Sequence, residues 1–235
     1  MKTMKLTKGQ IQNLYLAALI SIALVFWDTL LIYPIKLFVV TLHEMSHGLM
    51  AMAFGGDIIE IQIDKQSGGY CKPSSWGNFM TSSAGYLGSL LWGSLILILA
   101  VKSDKDKYIT LVIGLILLGL SYFVLQTGEL FGTAVTVGLP AFMLIAFKYF
   151  GNFFRDLWLK FIGITTCIYV VLDIKDDLID RSNIGSDADS IAELTGLPSV
   201  FLGSVWMITA VFILFIVLRY IYRQKEKTLQ TTERE

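Results

Sequence analysis

Seven stretches of this chain (13–33, 35–54, 79–101, 107–125, 130–150, 157–173 and 200–222) are dominated by apolar residues and have about the length a helix needs to cross a bilayer. Backbone in hydrocarbon must satisfy its own hydrogen bonds, so stretches of this kind fold as helices packed against one another. Composition agrees. Hydrophobic residues make up 54 % of the 235 and charged residues only 16 %, with a mean hydropathy of +0.64; an average soluble domain is about a quarter charged. The expectation is an all-α polytopic membrane protein of about six to seven transmembrane helices, multi-pass in the lipid bilayer and in the cell membrane if bacterial. Residues 1–222 form a single domain, and the charged tail 223–235 is read as disordered. Lys2, Lys5 and Lys8 before the first apolar run imitate a signal peptide. No small-x-small cleavage site follows, so that run is read as a retained span. Net charge is zero, which gives no basic face for nucleic acid. Cys71 and Cys167 lie in different kinds of segment and offer neither a disulfide framework nor a paired metal motif.

One segment breaks the helical pattern. Gly55-Gly56 stops the second span. From Asp57 to Asp64 apolar and polar residues alternate over most of the run, the period of a half-exposed strand. Ser67-Gly68-Gly69 supplies a turn, and Tyr70-Cys71-Lys72 returns as a second short strand. A small β-hairpin is therefore expected after the second span, at the membrane surface or within a watered, protein-lined cavity. It covers a site, presents an edge to an extended substrate, or merely connects two helices.

Both histidines of the chain, His43 and His47, lie in that second span, in His43-Glu44-Met45-Ser46-His47. Four residues apart on a helix, the two imidazoles share a face and can reach one zinc ion. Glu44, beside the first ligand, is placed to take a proton from water that the metal acidifies. Chance produces five-residue matches. Ionisable residues within an apolar segment are expensive, however, and by default mark function or a buried partner.

A catalytic zinc takes three protein ligands and keeps a position open. With no third histidine, a carboxylate or cysteine must serve. Counting alternate spans brings Glu129 and the acidic end of the sixth span to the same membrane side as the motif. Asp173 follows Val170-Val171-Leu172 and is the acid nearest the apolar body of its helix. It is the expected ligand, with Asp177, Asp176 and Glu129 as alternatives. Asp180, Asp187 and Asp189 read as solvated acids of a helix end and loop, and Cys71 and Cys167 as packing residues.

With these residues in place, the chain resembles the site-2 protease family of intramembrane zinc metalloproteases, especially its compact peptidase-like branch. The likeness runs from Thr41-Leu42-His43-Glu44-Met45-Ser46-His47 through Gly55-Gly56, Gly68-Gly69 and Ala84-Gly85-Tyr86-Leu87-Gly88. It resumes at Leu172-Asp173 and Ser186-Asp187-Ala188. The resemblance implies Zn2+ held by His43, His47 and Asp173, Glu44 as the catalytic base, and a transmembrane protein as substrate. Ile174 stands where the family's Leu-Asp-Gly motif has glycine. That departure motivates a second hypothesis, a metal-binding membrane scaffold or adaptor that cleaves nothing. A transporter is the third, and no paired, broken helices in corresponding halves support it.

Overall fold

The computed structural model describes residues 8–74, 79–179 and 186–232. Its elements follow in the order α1 (Lys8–Val25), α2 (Tyr33–Ala53), β1 (Ile58–Ile63), β2 (Gly69–Pro73), α3 (Phe79–Lys102), α4 (Asp106–Leu125), α5 (Leu130–Tyr149), α6 (Asn152–Ile179), α7 (Asp187–Thr195) and α8 (Ser199–Thr232). Among the described residues, α3, α4, α5, α6 and α8 are long and apolar enough to cross a membrane. This is an integral, multi-pass membrane protein built of helices with one small hairpin.

The first two expected spans differ from the rest. α1 ends at Val25, and its apolar part, Leu14–Val25, is too short to count with the five. Residues 26–32 turn instead, because Asp28 pairs with Lys36 at 3.1 Å and Thr29 returns a hydroxyl bond to the carbonyl of Phe26. Pro34, in the first turn of α2, has no N–H to leave unpaired there. α2 is enclosed within the bundle, with every residue from Leu37 to Gly48 buried. A helix buried all round can carry polar residues if each meets a partner. α8 continues in helix to Thr232, through most of the charged C-terminal run.

α3 is the central element, packed on α2, α6, α7 and α8. Small residues set that closeness, as they do between helices in lipid. A methyl group at Gly93 would lie 2.9 Å from the Sγ of Cys167, and one at Gly163 would lie 2.9 Å from the backbone nitrogen of Leu97. On the other flank a methyl at Gly88 would meet the Cβ of Ser46 at 2.3 Å, so α2 and α3 touch almost backbone to backbone beside the histidines.

The hairpin forms where the alternation expects it. β1 and β2 are antiparallel, with Ile61 opposite Cys71 and Ile63 opposite Gly69. Ile58, Ile61 and Ile63 are buried and Ile59 is exposed. A register shift between Ile58 and Glu60 interrupts strict alternation. The turn is held by Asp64, whose carboxylate accepts from the backbone N–H groups of Gln66 and Gly68. Both strands lie on α2, and β1 also leans on α4 and α5. The hairpin thus rides over the motif helix rather than projecting away from it.

Candidate metal centre

The histidines sit in the second half of α2, and nothing about their local backbone is unusual. Their spacing alone puts both rings on one face, with centroids 5.0 Å apart. His43, Glu44, His47 and Asp173 are all 6–9 % exposed, a burial at which each polar group requires a partner. The Nδ1 of His47 lies 2.8 Å from the backbone carbonyl of Thr81 on α3. A carbonyl only accepts, so Nδ1 carries the hydrogen and Nε2 offers a lone pair.

The partner of those Nε2 atoms is Asp187. Its Oδ2 lies 3.0 Å from Nε2 of His43 and 3.1 Å from Nε2 of His47. One ligand atom from each of His43, His47 and Asp187 lies within 4.8 Å of the others, which makes them a group able to hold a metal ion. Donors bound about 2.0–2.2 Å from one tetrahedral centre are separated by roughly 3.4 Å. The observed contacts are close to that, and the donor set, two imidazoles and a carboxylate, suits zinc. Burial by itself would raise the Asp187 carboxyl; the imidazoles of His47 and His43 outweigh it and hold the group below the usual carboxylate range.

Asp187 arrives on α7, a nine-residue helix with well-defined ends. Ser186 is the N-cap. Its hydroxyl accepts from the N–H of Asp189, and the Asp189 carboxylate accepts in return from the N–H of Ser186, a reciprocal capping box. Gly196 closes the helix at φ 71°. Ala188 and Ile191 are buried, docking α7 against α3 and α8. Asp187 is therefore the first residue of a capped, packed helix, where the sequence reading had put a solvated loop acid. The signal that could have located it is Ser186-x-x-Asp189 ahead of an apolar pair.

The other expected acids are placed as follows. Asp173 approaches the opposite side of His43, its Oδ2 3.7 Å from Nδ1, a charge contact rather than a hydrogen bond. Asp177 accepts a hydrogen bond from the hydroxyl of Tyr86. Asp176 pairs with its neighbour Lys175 at 2.8 Å. Glu129 caps α5, accepting from the N–H of Gly132 at 2.9 Å. Cys71 and Cys167 are buried thiols, and burial pushes the Cys71 thiol up to about 12, unlike a metal-binding thiolate. Asp180 lies outside the described residues.

These groups share one cavity of about 200 Å³, bounded by α2, β2, α3, α6 and α7 and lined by His43, Glu44, His47, Asp173 and Asp187. The hairpin closes on Glu44 through Gly69, where a methyl group would meet the Cγ of Glu44 at 3.0 Å and the backbone carbonyl of Gln62 at 2.6 Å. Glycine there lets backbone, rather than a side chain, roof the glutamate. No curated protein and no solved structure matches the chain. The family model described as Peptidase M50B-like matches residues 16–217, a span that includes the motif helix, the hairpin, α6 and α7. The chain belongs to the Peptidase M50B-like family, within the site-2 protease family of membrane metalloproteases.

Proposed function

We propose that this protein is an intramembrane zinc endopeptidase, with His43, His47 and Asp187 holding the metal and Glu44 acting as the base. One observation carries the reading: three donors from two distant parts of the chain converge in a cavity that also holds a buried glutamate. Zinc bound there would polarise a peptide carbonyl and acidify water. Glu44 takes the proton from the attacking water and passes it to the departing amine nitrogen. His47 is held in the required tautomer by its Nδ1–H bond to Thr81. Asp173 lies 3.7 Å from the ring nitrogen of His43 that faces away from Asp187 and would serve as its outer carboxylate once the metal is bound. The sequence-based choice of Asp173 as ligand thus becomes, in this assignment, a choice between two acids that touch opposite sides of one ring.

The substrate in this reading is a transmembrane protein segment. Helical backbone hides its carbonyls, so the segment must unwind locally before cleavage. β2 lines the cavity with Gly69, Tyr70 and Cys71, and its second edge has no strand beside it among the described residues. An extended peptide can pair along such an edge.

Glu44→Gln is the test, because it keeps shape and removes the base. Wild type and variant would be purified, assayed for zinc, and reconstituted in vesicles with transmembrane peptides whose fragments are read by mass spectrometry. The expected result is loss of cleavage with zinc still bound. Equal cleavage by both proteins would remove Glu44 from the reaction. A zinc-loaded wild type that cuts none of the peptides would favour the scaffold.

A further inference from the structure

Gly85 lies on α3 within the helix interior, one turn before Gly88. Its backbone is helical and needs no glycine, and alanine is the better helix former at such a position. The reason for glycine must then lie in the space its side chain would fill. At Gly88 that space holds Ser46, an ordinary packing neighbour. At Gly85 the three nearest atoms to an added methyl carbon are the Nε2 of His43 at 2.2 Å, the Nε2 of His47 at 2.4 Å and the Oδ2 of Asp187 at 2.6 Å. These atoms belong to the three residues of the donor group. All three distances lie well inside any real carbon contact. A side chain at this one position would press on all three donor atoms at once.

We propose that Gly85 is a metal-site residue, its missing side chain leaving the three donor atoms free to converge on the cation. The assignment rests on the zinc reading given above. No atom of Gly85 binds the ion. The residue acts by absence, allowing α3 to close one side of the site without displacing His43, His47 or Asp187. Its identity is thereby tied to loading rather than to helix packing. Any larger residue puts carbon against the three donor atoms and forces them out of their converged positions.

The experiment compares wild type with Gly85→Ala, both purified in detergent. Zinc per chain is measured by elemental analysis, and the thermal midpoint is measured with and without a chelator. Wild type should carry one zinc and lose midpoint on chelation. Gly85→Ala should keep the helical signal, carry no zinc and show no response to chelator. A Gly85→Ala protein loaded like the wild type would overturn the assignment while leaving the zinc reading intact. A wild type without zinc would sink the zinc reading itself. If Gly85→Ala does not fold, the same change is made in a His43→Ala/His47→Ala/Asp187→Ala background, where the atoms that meet the methyl are gone. Folding there with an unchanged midpoint supports the proposal, and failure to fold there too refutes it.

Discussion

Two acids flank His43, and their removal should have very unequal consequences. A carboxylate oxygen that coordinates zinc lies about 2.0–2.2 Å from it. Asp187 is placed for that role, 3.0 and 3.1 Å from the two Nε2 atoms. Asp173 meets the far nitrogen of the same ring at 3.7 Å, so it acts on the ion through an imidazole, at roughly three times the distance. By the inverse-distance law its pull is about one third as large. Losing an outer partner of a ligating histidine typically lowers metal affinity by about 10–100-fold, or about 1.4–2.8 kcal/mol. Three times that is about 4–8 kcal/mol, roughly a thousand- to a million-fold. Asp173→Ala should therefore weaken zinc binding measurably, and Asp187→Ala should abolish it at micromolar metal. The assay is competition against a chromophoric zinc chelator, with pH held fixed because protons compete for the same lone pairs. Asp187→Asn, which keeps the shape, should behave like Asp187→Ala. An Asp173→Ala protein that loses as much affinity as Asp187→Ala, or more, would refute the division of roles.

Two further outcomes follow from contacts around the centre. Ser186→Ala removes the hydroxyl that accepts from Asp189 and should cost α7 about 1 kcal/mol; amide exchange at 187–190 should speed up roughly fivefold, with no change in the exchange of α3. Tyr86→Phe strips the hydrogen bond to Asp177 from a tyrosine that is 1 % exposed. It should lower stability by about 1.5–3 kcal/mol, read as a lower thermal midpoint, with zinc per chain unchanged.

The parts of this molecule that could be read from its sequence are those whose information is local. His43-Glu44-Met45-Ser46-His47 declares itself because the metal-binding geometry is one turn of helix. The hairpin declares itself through alternation, and α3, α4 and α5 through apolar runs whose observed ends fall within a residue of expectation. Where polar residues and apolar helix overlap, sequence misleads. α1 stops at Val25 because Asp28 and Thr29 find better partners in turns, although hydropathy alone carries the span on to Tyr33. α6 runs from Asn152 to Ile179, beyond both ends of its apolar stretch, since helix does not end where lipid does. The acid facing the histidines was the hardest part. His43 and Asp187 are 144 residues apart, and the capping pattern at Ser186 announces a helix start but not that contact. Ala188 and Ile191 dock α7, and only that docking brings its first residue to α2.

Because two donors belong to a buried span and the third to a nine-residue helix outside the five long ones, metal affinity and the seating of α7 are a single equilibrium seen from two ends. An ion that binds only the seated form stabilises that form by mass action. Anything that draws α7 off the bundle reduces a three-pronged grip to a bare pair of imidazoles. With zinc held as proposed, the centre would be complete only once this short helix has settled, and chelation would loosen the same helix.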